Sequence, residues 1–230
     1  MSRITGCLLA ATLACACHAA WANRPLTTDT ADTIGHGVCQ FEPYAGRNAS
    51  SGSPDEHFWT LQLNCGVTDH TQLGASAGRA WAAGAADQAL AVAGKTALVT
   101  LKDGQTGFAV AYGLSASRPS GASWSGEGVF VNGIASRELR EGLLVHGNVG
   151  WSHSRSAGQS STTYAIATEY TSTPRLVLSA ELYGDDRGSP WVGAGVWFSV
   201  ADKLSVNASY GVQTSSPRVR QLTLGFLVEF

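Results

Sequence analysis

Residues Gln221–Phe230 read QLTLGFLVEF. Leu222, Leu224, Phe226, Val228 and Phe230 are apolar, while Gln221, Thr223, Gly225 and Glu229 are polar or small, with Leu227 the exception. A period of two with one greasy face is the pattern of a strand, and this one ends on an aromatic residue. After an export signal, such a stretch predicts the closing strand of an all-β, antiparallel, up-and-down transmembrane barrel of the bacterial outer membrane. Apolar residues then face lipid and polar residues a lumen.

Residues 1–22 carry the expected export signal. Arg3 gives the positive start, Cys7–Ala16 a short apolar stretch, and Ala20-Trp21-Ala22 a small-x-small cleavage site. Ile4-Thr5-Gly6-Cys7 fits a lipoprotein signal, but it precedes the apolar core. Nothing after Ala22 is apolar for long enough to cross a bilayer as a helix. Cleavage leaves 14 basic and 17 acidic side chains, a net of −3 with no basic patch, so nucleic acid is not an expected partner. Low charge and abundant Gly suit a barrel, whose alternation hides its membrane character from any average hydropathy.

Residues 23–37 are a polar extension, with Thr27-Thr28-Asp29-Thr30 and Asp32-Thr33. It either folds back into the barrel as a plug or lies in the periplasm. Residues 38–230 form the expected barrel of about twelve strands, near 38–46, 57–67, 71–82, 88–101, 105–116, 123–134, 142–153, 161–171, 174–184, 190–200, 203–212 and 219–230. With a periplasmic amino terminus the odd connections hold most of the long polar stretches, and the even ones are short apart from Ser136–Glu141. This matches the rule of short periplasmic turns and longer outer loops.

Aromatic placement gives a second pattern. Trp59, Trp81, Trp124, Trp151, Trp191, Tyr44, Tyr164, Tyr183 and Tyr210 fall at strand ends on the outer side and predict an outer girdle. Phe41, Tyr170, Phe198 and Phe230 fall at the inner side. Lys102-Asp103-Gly104 predicts a three-residue hairpin with Gly104 left-handed, pairing Leu98 with Phe108 and Thr96 with Val110. The two-residue alternative would put Lys95 on the lipid face, at about 2–4 kcal/mol near the midplane. Arg79 shares the lipid parity but lies close enough to the interface to snorkel.

Cys39 and Cys65 are symmetric about residue 52 in the first outer loop. That register pairs Phe41 with Leu63, Pro43 with Leu61 and Ala45 with Trp59, and brings the two sulfurs within reach of a disulfide. The alternative is two free, buried thiols.

Inward parity collects small residues: Gly74, Ser76 and Gly78; Gly107, Ala109, Ala111 and Gly113; Gly193 and Gly195 with Ser205, Asn207, Ser209 and Gly211. They leave a bore or ease strand curvature. Lys95, Glu127, His146, Glu169, Glu181 and Glu229 are the lumen-facing candidates. The register of the seventh and eighth strands brings His146 near Glu169, as a rigid polar network or a pH-sensitive constriction. Asp185-Asp186-Arg187 reads as a solvated turn, with a cation bridge to lipopolysaccharide as the alternative.

Arg24-Pro25-Leu26-Thr27-Thr28-Asp29-Thr30-Ala31 resembles the RPLxTDDA opening of the MetA-pathway-of-phenol-degradation family, with Thr30 in place of its second Asp. Glu181–Pro190 resembles that family's E-x-Y-G-D-x-R-G-x-P segment, and Leu204–Gly211 the strand after it. The resemblance implies an outer-membrane barrel passing aromatic or other small hydrophobic compounds, and brings no catalytic residues.

The expected function is passive passage of small molecules, with no cofactor, no metal and no chemistry. A structural or surface-interaction barrel is the alternative. An outer-rim lipid hydrolase is a lesser one: His57 and His153 lie near that rim among serines, without a G-x-S-x-G motif. Expected partners are outer-membrane lipids and lipopolysaccharide, the solute, and a barrel assembly machinery reading Phe226, Val228 and Phe230.

Overall fold

A computed structural model describes residues 26–102 and 104–230. The export signal, its cleavage site, Arg24 and Pro25 lie outside them.

Twelve strands close into one barrel: β1 (Cys39–Ser50), β2 (Glu56–Thr68), β3 (Thr71–Ala82), β4 (Ala85–Val99), β5 (Thr106–Arg118), β6 (Ser125–Arg140), β7 (Leu143–Ser154), β8 (Gln159–Thr173), β9 (Leu176–Asp185), β10 (Trp191–Ala201), β11 (Leu204–Gln213) and β12 (Val219–Glu229). Each pairs antiparallel with its sequence neighbours, and β1 closes on β12. Closure gives every strand two partners and leaves no edge, which a lipid environment requires of a sheet. No described helix is long and apolar enough to cross a membrane.

Alternation decides which way each strand faces. On β12, Leu222, Leu224 and Phe226 are exposed on the outer surface while Thr223 is buried inside. Leu227, out of step in the sequence, is buried on the lumen face. Leu61, Leu63, Leu90, Val92, Leu114, Val149 and Ile166 extend the apolar band around the barrel. Exposed apolar area on this scale has no place in water and fits lipid. The interior is polar: Glu42, Gln62, Asn64, Gln72, Lys95, His146, Asn148, Glu181 and Asn207 are buried there.

The ends of the barrel differ. Turns 69–70, 141–142, 174–175 and 202–203 lie at one end, and the longer loops 51–55, 119–124, 155–158, 186–190 and 214–218 at the other. The turn end also holds residues 100–102 and 104–105, and the loop end the two-residue turn Ala83-Gly84, with both of its residues at positive φ. Ser136–Glu141 is not a long connection. β6 runs on to Arg140, Ser136 is buried inside and hydrogen-bonded, and only Glu141 and Gly142 turn.

The β4–β5 hairpin corrects a detail. Gly104 is left-handed and Thr96 pairs with Val110, but Phe108 pairs with Val99. A bulge takes up Leu98, leaving Leu98 and Val99 both exposed to the lipid side. Lys95 pairs with Ala111 and points inward. In the first hairpin Phe41, Pro43 and Ala45 pair with Leu63, Leu61 and Trp59, and Cys39 is disulfide-bonded to Cys65.

Candidate functional site

The lumen is occupied by the chain's own amino-terminal segment. It enters at the turn end, where His36 bridges Gly66 in parallel and the Gly37 N–H donates to the Gly66 carbonyl at 3.0 Å. From there it crosses the bore, burying Ile34, Ala31, Asp29, Thr28 and Leu26. Of the alternatives open for this extension, the plug is the observed one. Ala31 packs against Ala109, Ala111 and Ile134, with Phe130 alongside. The small inward residues of β5 therefore make room for a peptide.

An extended chain in a polar lumen brings main-chain groups that need partners; leaving one unmet when buried costs about 1–3 kcal/mol. The barrel wall supplies them. Glu181 accepts the Thr27 N–H at 2.8 Å, and the Thr28 N–H and hydroxyl each at 2.9 Å. Asn148 pairs with both main-chain groups of Asp29: its Oδ1 accepts the N–H at 2.7 Å and its Nδ2 donates to the carbonyl at 2.9 Å. Ser136 Oγ accepts the Ala31 N–H at 2.8 Å, and Gln72 Oε1 the Ile34 N–H at 2.9 Å. Lys95 Nζ donates to Asp29 Oδ1 at 2.8 Å and to the Thr30 carbonyl at 2.9 Å. What remains beside this pair is a cavity of about 10 Å³, lined by Asp29, Asn64, Gln72, Gly74, Lys95 and others, large enough for about one water.

The other inward candidates are placed as follows. His146 is buried, with Nδ1 at 2.8 Å from Ser136 Oγ and Nε2 at 3.3 Å from Glu169. Ser136 thereby joins the His146–Glu169 pair to the segment. Glu127 sits in a bulge at the loop end, accepting from Ser117, Ser154 and Ser156. Glu229 accepts from Gln40 at 3.3 Å at the turn end. Asp32 lies on the segment itself, reachable by solvent but enclosed by the wall. Burial raises its carboxyl pKa above the usual 3.8; the charges of Lys95 and His146 oppose that rise and Glu169 adds to it.

The outer girdle needs three corrections. Trp59, Trp81, Trp124, Trp151 and Tyr210 are exposed on the outer surface, and Tyr164 shares the outward parity of Ile166. Tyr44, Tyr183 and Trp191 face the lumen instead. Tyr44 is buried against Phe58 and Ala80, with the two rings edge to face. Tyr183 and Trp191 pair across β9 and β10, on the faces of Glu181 and Gly193, and stack with centroids 6.1 Å apart. Position near a strand end had suggested a girdle, but face is set by parity, and Leu182 and Val192 hold the lipid side. The lumen on the loop side of the segment is consequently lined with rings.

At the outer rim His57 stacks on Trp81, and His153 Nδ1 lies 3.1 Å from Ser160 Oγ. Asp185 closes its own turn, accepting from the Arg187 and Gly188 N–H groups. Among the described residues no group of three or more His, Cys, Asp or Glu is placed to hold a metal ion.

Several solved structures share this fold. The COG4313 outer-membrane channel from Pseudomonas putida F1 has 12% identity and a TM-score of 0.63, over 86% of this chain and 97% of that one. The KdgM porin in complex with disordered oligogalacturonate has 11% identity and a TM-score of 0.62, over 83% and 99%. Outer-membrane phospholipase A from Escherichia coli has 10% identity and a TM-score of 0.51, over 82% and 92%. Likeness at this level is likeness of fold, that of the outer-membrane β-barrel. No curated protein matches in sequence. A family model described as uncharacterised conserved protein UCP029691 matches residues 9–230, and the chain belongs to that family.

Proposed function

We propose that the protein is an outer-membrane channel for small molecules, held closed by residues 26–37. The observation that carries this reading is the way the lumen is filled. A barrel closed for good is best filled by side chains from its own wall. Here the filler is a separate segment that enters from one end, held by hydrogen bonds and one ion pair that water can replace. The channel and porin with the same fold support the reading.

The favoured solutes are small aromatic or hydrophobic compounds. Tyr183 and Trp191, half-buried, give the loop side of the lumen ring surfaces on which flat apolar molecules can stack. The resemblance of residues 24–31 and 181–190 to the phenol-degradation family points the same way. Residues 1–22 act as the export signal. Outside the barrel, Arg79 and the outward tryptophans contact lipid and lipopolysaccharide, and Phe226, Val228 and Phe230 form the signal read by the assembly machinery.

Planar-bilayer conductance of the refolded chain tests the channel. Rare, small openings are expected for wild type, and frequent discrete steps for Lys95→Met, which unpairs Asp29. Silence of both folded proteins would overturn the channel. A second reading has one observation in its favour. The Ser160–His153 pair on the outer surface is the arrangement of a nucleophile and its base, and one fold relative is a phospholipase. Hydrolysis of a lipid ester lost in Ser160→Ala would establish it.

A further inference from the structure

The barrel wall holds the amino-terminal segment in the manner of a peptide-binding site. Most of the contacts go to main chain: Glu181 to two successive N–H groups, Ser136 and Gln72 to one each, and Asn148 to the N–H and carbonyl of a single residue. An Asn side chain offers an acceptor and two donors, the complement of one residue's N–H and carbonyl. Such contacts read any extended chain.

Two contacts read side chains: Glu181 accepts the Thr28 hydroxyl, and Lys95 holds a carboxylate. The Asp29 carboxylate lies on Lys95, with both side chains more than nine-tenths buried. Among the described residues Lys95 is the one lysine or arginine that is buried, against the carboxyl groups of Asp29, Glu42, Glu56 and Glu181. An acidic lumen with one buried lysine discriminates by position: the carboxylate is welcome at Lys95, and the amide flanks beside Asn148 and Glu181. Gln62, buried and with neither amide atom hydrogen-bonded, lies two residues before Asn64 on the same inward face of β2.

We infer that the lumen is a binding site for short, extended acidic peptides and amide-linked acidic amino acids, and that Thr27–Ala31 is its built-in occupant. The Lys95 ammonium and the Asn148 carboxamide together hold one acidic residue, and Glu181 holds the N–H groups before it. A ligand of this class competes with the segment for the same groups. A tethered competitor acts at an effective concentration of about millimolar. The site in the intact protein therefore answers only to a concentrated or tightly held ligand.

The test measures binding of two labelled peptides to the refolded chain by fluorescence anisotropy. Acetyl-Thr-Thr-Asp-Thr-Ala-amide copies residues 27–31, and its Asn analogue lacks the charge. Wild type is expected to bind the acidic peptide only near millimolar concentration. Asp29→Ala removes the internal carboxylate and is expected to bind it about tenfold tighter or more. In that background the acidic peptide should be preferred over the Asn analogue roughly 10-fold or more, the worth of one charge-assisted contact. Adding Lys95→Met should erase the preference and keep weak binding of both. Heat-modifiable migration on gels reports folding of each variant, and Asp29→Asn replaces Asp29→Ala if the latter does not fold. A folded Asp29 variant that binds neither peptide, or binds both equally, overturns the inference. The assay reads recognition without current, so a silent barrel that binds the acidic peptide would sink the channel and leave the binding site standing.

Discussion

At the scale of single residues, the Lys95–Asp29 pair joins the wall to the segment. Both charges are buried, so removing one leaves the other without its counter-charge, at about 3–5 kcal/mol. Lys95→Met is expected to unseat the segment by that order, and Lys95→Met with Asp29→Asn to recover part of it, read as protection of residues 26–37 from limited proteolysis. Asp32 acts in the opposite sense. Its carboxyl pKa is raised when the segment is seated, so the seated form holds the proton more tightly than the released form. That contribution is fully present below the usual carboxylate value of 3.8 and is lost as pH rises through the raised one. At neutral pH the ionised Asp32 works against seating. Asp32→Asn is therefore expected to reduce opening at neutral pH and to flatten its pH dependence in conductance traces. Lys95 was legible in the sequence as an inward residue because the lipid face was too costly for it. Its partner was not. Asp29 lies 66 residues away, and no periodicity links them.

At the scale of elements, strand count and register were open to reading because each strand repeats one rule, and a slip by one residue would turn its apolar face inward. The first hairpin follows from Cys39 and Cys65 alone. Alkylation after reduction is expected to add two labels to the exported chain, and alkylation without reduction none, by mass spectrometry. The bulge at Leu98 escaped because an extra residue leaves no mark on composition. Tyr44, Tyr183 and Trp191 escaped for another reason: an aromatic ring suits both a lipid interface and a ligand-bearing wall, and only parity separates the two. Thr27-Thr28 and Glu181 are distant in the chain, yet they meet in the hydrogen bonds that Glu181 accepts from both. Glu181→Gln keeps the shape and removes the charge from that contact. It is expected to increase opening frequency severalfold, since bonds to a charged acceptor are about twice as strong as neutral ones.

At the scale of the whole molecule, the base of the barrel gathers distant parts of the chain at Cys39. Its sulfur is bonded to Cys65 of β2, and its N–H and carbonyl pair with Phe230 at 2.8 and 2.9 Å. Two residues earlier, Gly37 donates to Gly66. The first strand, the last residue and the root of the lumen segment thus share one fastening. A ring that shuts around its own leading end must do so with that end already inside, or thread it afterwards through a mouth narrowed by the fastening itself. Clipping Phe230 from one terminus is then a lesion at the other, loosening the seam and the root of the cork in the same cut.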